Sequence, residues 1–482
     1  MPPRNLLVIA ITIVVSMACY SVASKNRYAN LFAEAIEVID QQSLKQLPRE
    51  QLFDSAMKGM LKDLDEHSMF ISGDMFKIFD EDLRGEFGGV GMYVEMDPKT
   101  DQLVVLAPMP GTPAYEAGLR AGDQIVAING TETKGKKRVD AIKLLRGPIG
   151  EAVDLDLERG AQRLSKSITR AAIPVATVHG DFRSRDAKWN FRLKDHPDIG
   201  YIRLLQFGEK SADELEAALR EIGSDVDGVI IDIRNNSGGL LGVATEICDM
   251  LLPPDQLIVS TRGRKRPNTE TYSTDRLALN PMVPVCVLIN RNSASASEIL
   301  AGCLQDHGRA IVIGEQSWGK GTVQNVIPIQ RRESALKLTT SSYWRPSGKH
   351  IDRYDEISKT TKIWGIHPDA NFEIEQTDVD VFNNMRSRSI RDLEGLMTDE
   401  EAMVISEIRA FQPAVDTQEL ESNTDNEKSI VGPSEGSADR EPTSPADIES
   451  PGGESVVPYV DKALERAIEY FQTLQEGQGI AA

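Results

Sequence analysis

Two long apolar runs constrain this chain more than anything else in it: GVIIDI at 228–233 and VPVCVLI at 283–289. Each is followed by a polar turn and a helix-like stretch, LLGVATEICDML after the first and EILAGCLQDHG after the second. Apolar runs without polar alternation read as strands covered on both faces. Residues 230–233 and 283–289 are therefore expected to be parallel strands between the helices of an α/β core.

The turns after the strands carry the candidate chemistry. In the first, Asn-Asn-Ser-Gly-Gly, the amides of Gly238 and Gly239 at a helix start suit a developing oxyanion, although the pair also reads as a simple turn. The second, NSASASEIL at 292–300, places Ser295 at a strand-to-helix turn. Further on, GEQSWGKGTVQ at 314–324 sets Lys320 among Gly314, Gly319 and Gly321, which permit a tight backbone path. A serine hydroxyl is a weak nucleophile until a base takes its proton, and a lysine does so only if burial lowers its pKa from about 10.4. Local sequence leaves other readings open. Ser295 with Glu298 also spells a helix capping box, and Lys320 also suits an exposed loop. The six histidines are scattered and no G-x-S-x-G elbow occurs, so a lysine is the base that remains.

These segments, in this order, together with ALKLTTSSYWRPSGKHI at 335–351 and GIHPD at 365–369, resemble the carboxyl-terminal processing proteases. These are tail-specific serine peptidases with a Ser-Lys dyad. The resemblance spans 27–374 and implies a ClpP/crotonase-like layered catalytic core. It assigns Ser295 as nucleophile and Lys320 as general base, with the family's spacing of 25 residues selecting Ser295 over Ser293 and Ser297. It further implies that Gln324 orients the lysine from one helical turn away, and that the Ala296 amide with one from Gly238 or Gly239 forms the oxyanion hole. Ser237 stands where the family has proline, and Ser317 and Trp318 replace threonine and phenylalanine. The first change loosens the turn through unfolded-state entropy, by about 0.4–1 kcal/mol, and removes no amide donor.

Between 81 and 170 the text changes to short alternating strands with Gly-Asp and Asn-Gly turns, the pattern of a small antiparallel barrel. VDAIKLLRG supplies a helix and AVDLDLERG a last strand. The stretch resembles a PDZ domain, with GGVGMYV as its carboxylate loop. Gly89, Val90, Gly91 and Met92 are then expected to hold a peptide's terminal carboxylate while the peptide adds a strand to the sheet edge, and Val139, Ile142 and Lys143 to face its side chains. A barrel without a ligand is the alternative.

The remaining assignments are a signal peptide or membrane anchor over 1–26, a helical segment over 27–80 of the kind used for homodimer contacts, the peptidase core over 171–380 and a helical extension over 381–412. An acidic disordered linker follows over 413–455, and an amphipathic helix over 456–482 that must pack on something. From 416 to 455 there are eleven acidic residues and two basic. The net charge of −20 excludes nucleic acid as a partner. No metal-binding motif is present, and neither metal nor cofactor is expected. Cys248, Cys286 and Cys303 lie in apolar patterns and read as buried small residues. Together these features describe an exported serine endopeptidase of the cell envelope or periplasm, tethered to the membrane, that recognises apolar C-terminal tails of proteins and cleaves near them. The rivals are an inactive PDZ adaptor on a peptidase-like scaffold and a crotonase-like acyl-CoA enzyme.

Overall fold

The computed structural model describes residues 5, 11–17, 27–184, 186–264, 268–274, 276–329, 334–361, 363–398, 400–403, 405 and 459–479. Most of the expected N-terminal anchor and all of the acidic linker lie outside these residues. Among the described residues no helix is long and apolar enough to cross a membrane.

The chain forms two compact units. Of the described residues, those up to Gly73 and those within Asn325–Leu338 make up the first. Its helices Arg27–Gln42 and Arg49–Lys62 precede a short strand, Met69–Ile71, that pairs antiparallel with 335–337. Met57, Leu61 and Phe70 are its small core, with Phe53 set edge-on to Phe70. The first helix buries none of its residues.

The second unit contains the sheet that positions the candidate site. Strands Val178–His179, Ile199–Leu204, Gly228–Asp232, Val285–Ile289 and Ala310–Gly314 lie side by side in that order. The first pair is antiparallel and the rest are parallel. Every residue of Gly228–Asp232 and Val285–Ile289 is buried, as unbroken apolar runs require when both faces are covered. Ile202, Ile231, Val287 and Val312 face helices Ser211–Ile222, Leu241–Leu251 and Ala296–Asp306. The alternate residues, Tyr201, Ile230, Cys286, Leu288 and Ile313, pack instead with Ala463, Ala467 and Phe471 of helix Lys462–Gly479. Gly228 makes room for this second layer, because a Cβ there would lie 2.3 Å from the Phe471 ring. The expected parallel strands are therefore present, and the three cysteines are buried in the layers around them.

The same unit carries a six-stranded sheet, ordered Met92–Asp97, Gln102–Pro108, Gln124–Ile128, Ala152–Arg159, Gln162–Thr169, with Thr131–Glu132 pairing Gln124–Ile128. Helix Arg138–Leu145 packs on it through Ala141 and Leu145, over a core that includes Leu103, Ile125, Leu155 and Ile168. The last strand expected here ends at Arg159. The chain instead turns at Gly160, φ 57°, and returns as Gln162–Thr169. That strand is almost wholly polar or half-exposed, so it lacked an apolar signature. The helix expected from 381 begins at Asp378, where Thr377 and Asp380 form a capping box.

Candidate active site

Three segments meet beyond the ends of strands Gly228–Asp232 and Val285–Ile289. The Asn235 amide donates to Asn290 Oδ1 and the Asn290 side chain returns a bond to Asn235 Oδ1, both at 2.9 Å. Ser293 Oγ donates to the Ile233 carbonyl at 2.9 Å. The Asn236 carbonyl accepts from the Ala294 amide at 3.0 Å and from Ser297 Oγ at 2.8 Å. The glycine turn and the serine turn are thus laced together.

This lacing separates the three serines. Ser293 and Ser297 are fully buried and their hydroxyls are committed to backbone carbonyls. Ser295 is half-buried and caps helix Ala296–Asp306 with φ 56° and ψ −113°. A non-glycine residue in that region carries strain of about 1–3 kcal/mol, which persists only where surrounding bonds over-determine the backbone.

Glu298 supplies that constraint. It is fully buried, and its Oε2 accepts from the Ser295 amide and the Lys320 amide, each at 2.8 Å. Its Oε1 accepts from Ser317 Oγ at 2.5 Å and the Gly319 amide at 2.7 Å. One carboxylate therefore holds the serine turn against the lysine loop. Burial pushes its pKa up, and the four hydrogen bonds offset this only in part. From the sequence Glu298 was visible only as the far end of a capping box, since its other partners lie in a distant segment.

Lys320 follows Gly319, φ 88°, in a loop fixed from both sides. The Trp318 amide donates to the Ser293 carbonyl at 3.0 Å, and the Tyr343 hydroxyl donates to the Lys320 carbonyl. Tyr343 was not anticipated as a site residue. Burial, then the Glu298 charge, pushes the pKa of its hydroxyl well up, so it stays protonated as the donor to that carbonyl. The hydroxyl retained at Ser317 serves twice, donating to Glu298 and accepting from the Ile366 amide at 2.7 Å.

Gln324 lies in strand Thr322–Ile329, not one turn along a helix from Lys320. The β-branched Thr322 and Val323 and the pairing with strand Ser334–Trp344 favour the extended form. Its amide nitrogen donates to Thr322 Oγ1 at 2.8 Å and Thr339 Oγ1 at 3.4 Å.

The two candidate oxyanion glycines differ. Gly238 is buried at φ 107°, and a Cβ on it would lie 2.8 Å from the Ala294 carbonyl and 3.0 Å from the Ala296 amide nitrogen. Its own amide donates to Asn236 Oδ1 at 2.9 Å. Gly239 is exposed at φ 148°.

Next to the six-stranded sheet in sequence, Gly89 ends strand Glu86–Gly89, which forms a separate two-stranded sheet with Ala171–Pro174 and sets Gly89 opposite Ala171. The Val90 carbonyl accepts from the Ala114 amide at 2.8 Å, and that of Gly91 from Thr112 Oγ1 at 2.8 Å. Met92 opens the edge strand Met92–Asp97. Arg138 Nε lies 3.7 Å from Glu95 Oε1, which sets the start of helix Arg138–Leu145 beside that edge. On the helix Val139 is exposed, Ile142 half-buried, and Lys143 exposed, 3.6 Å from Asp140.

Residues 198–372 match peptidase family S41, and residues 104–159 match a PDZ domain. A carboxy-terminal-processing protease of Bartonella bacilliformis is 38% identical over 336 residues, which are 68% of this chain and 74% of that protein. The carboxy-terminal processing protease CtpB of Bacillus subtilis is 32% identical over 335 residues, 69% of this chain and 67% of that one. A solved photosystem II D1 C-terminal processing protease aligns at 27% identity over 77% of this chain and 99% of its own, with a TM-score of 0.41.

Proposed function

The chain belongs to peptidase family S41 and carries a PDZ domain, and from that premise we propose that it is a serine endopeptidase that forms an acyl-enzyme on Ser295 with Lys320 as base. The observation that carries this reading is the Glu298 carboxylate, which bonds the Ser295 amide and the Lys320 amide through one oxygen. Neutral Lys320 Nζ takes the proton from Ser295 Oγ as the oxygen bonds to the scissile carbonyl carbon. The carbonyl electrons move onto its oxygen, which the amides of Ala296 and Gly239 receive, with Gly238 permitting the close approach. Collapse breaks the C–N bond while the Lys320 ammonium returns its proton to the leaving amine. Water, deprotonated by Lys320, then attacks the ester, and Ser295 Oγ leaves with the proton. Gln324 orients Lys320 from the start of the strand that follows it.

The substrates are proteins or peptides with apolar C-terminal tails. The tail's carboxylate meets the backbone of Gly89, Val90, Gly91 and Met92, its strand pairs with the exposed edge, and Val139, Ile142 and Lys143 face its side chains. The body is exported and held at the membrane by the apolar segment near the N-terminus, with helices 27–62 available for a homodimer. The test is turnover of an unfolded protein with an apolar C-terminus beside Ser295→Ala and Lys320→Ala variants. Loss of cleavage in both, with folding intact, supports the dyad. Binding of the tail without turnover by the parent favours the adaptor reading.

A further inference from the structure

The described helix nearest the C-terminus is built into the base of the glycine turn. Arg234 lies in that turn, between Ile233 and Asn236, whose carbonyls hold the serine segment. Its guanidinium is sandwiched between two carboxylates. Nε and Nη2 donate to Asp232 Oδ1 and Oδ2 at 2.9 and 2.6 Å, while Nη1 and Nη2 donate to Asp461 Oδ1 and Oδ2 at 2.7 and 2.9 Å. Asp461 precedes helix Lys462–Gly479 and receives further bonds from outside the turn. Asn384 Nδ2 donates to its Oδ2 at 2.8 Å, and Arg388 Nη2 lies 3.6 Å away. The side chains of Arg234 and Asp232 are only 2% and 3% exposed, so little water is available to replace a lost partner.

A fork with bidentate carboxylates on both edges has its plane fixed, and with it the backbone from which it springs. Asp232 alone cannot do this, because it lies two residues from Arg234 and moves with it. Asp461 comes from the opposite face of the sheet and is referenced to that layer by its near neighbours in the helix, Ala463 and Ala467. We infer that Asp461 is a positioning residue for the peptidase reaction, holding the Arg234-containing turn, and hence the Gly239 amide, in register with Ser295. The region beyond 374, which the sequence resemblance leaves unexplained, would then contain a component of the catalytic apparatus.

This inference rests on the proposed acyl-enzyme at Ser295, and the experiment separates the two. In the full chain, Asp461→Asn, Asp461→Glu and Phe471→Ala are compared for thermal midpoint, for kcat and KM on a tail peptide, and for the rate of Ser295 acylation by a p-nitrophenyl ester, read as released p-nitrophenolate. Phe471→Ala loosens the same helix by packing alone and leaves the carboxylate in place. Both Asp461 variants are expected to lose about tenfold or more in kcat and acylation rate with KM nearly unchanged, as misplaced catalytic groups do. Phe471→Ala is expected to keep kcat despite an equal or larger fall in midpoint. If Asp461→Asn fails to fold, Asp461→Glu, which keeps the charge and shifts it by one methylene, decides. Asp461 variants that keep kcat within about twofold, or a kcat loss that tracks the midpoint in all three, overturn the inference. A parent enzyme that is not acylated at Ser295 overturns the function proposal instead.

Discussion

Glu298 makes the strongest residue-scale demand, because both its oxygens accept and three of its four partners are backbone amides that can only donate, the fourth being the Ser317 hydroxyl. Glu298→Gln turns one acceptor into a donor that faces N–H or O–H groups. The expected result is a stability loss of about 1–3 kcal/mol in chemical denaturation and near-complete loss of turnover, since the serine turn and the lysine loop lose their common anchor. Gly238→Ala tests the other wall. Its φ of 107° and the 2.8 Å approach to the Ala294 carbonyl leave no place for a methyl group, so kcat is expected to fall by about 10²–10³, the loss typical of a damaged oxyanion hole. Ser295 and Lys320 were legible as candidates because glycines, serines and a lysine were clustered along short stretches. Glu298 was half-legible, and Tyr343 was not, because the geometry that matters joins segments distant in the chain.

At the scale of elements, the parallel strands announced themselves by unbroken apolar runs, whereas Gln324 was misplaced because a four-residue spacing suggests a helical turn only if the segment is helical. The amphipathic character of the stretch after 456 required a docking surface but did not say which. The surface is the second face of the central sheet, and no local pattern identifies Asp461 as the partner of Arg234. This docking has a pH signature. Burial alone would raise the pKa of Asp232, but the Arg234 charge and hydrogen bonds, aided by Arg388 and Tyr201, hold it at about 2. Asp461 is likewise lowered: burial opposes, while Arg234 and Arg388 outweigh it despite the nearby Asp232 charge. Both groups have folded pKa values below their unfolded ones. Their stabilisation is therefore full above the ordinary carboxylate range and is lost as pH falls toward about 2. Hydrogen exchange should show protection of Lys462–Gly479 constant from neutral pH to about 5 and collapsing below about 4, after correction for intrinsic exchange. Protection that persists to pH 2 would contradict the charge sandwich as the lock.

For the whole molecule, the tail capture proposed for the PDZ domain is expected to make turnover depend on the free C-terminus of the substrate. Amidating that terminus in a cleaved peptide should reduce kcat/KM by about tenfold or more, because a carboxylate accepting backbone amides loses its charge. Equal rates for acid and amide would remove the PDZ domain from substrate capture. The two-module composition was legible because the core strands are unbroken apolar runs whereas the PDZ stretch alternates apolar and polar residues between turns. How the modules communicate depends on energies that no motif encodes. The central claim is the covalent intermediate itself, and the most direct measurement is intact-mass and peptide-level analysis of the full chain quenched during turnover of an unfolded tail substrate. An acyl increment mapped to Ser295, absent in Ser295→Ala and in Lys320→Ala, is the expected result. Cleavage by Ser295→Ala at the parent rate, or an increment on another residue, would contradict the account.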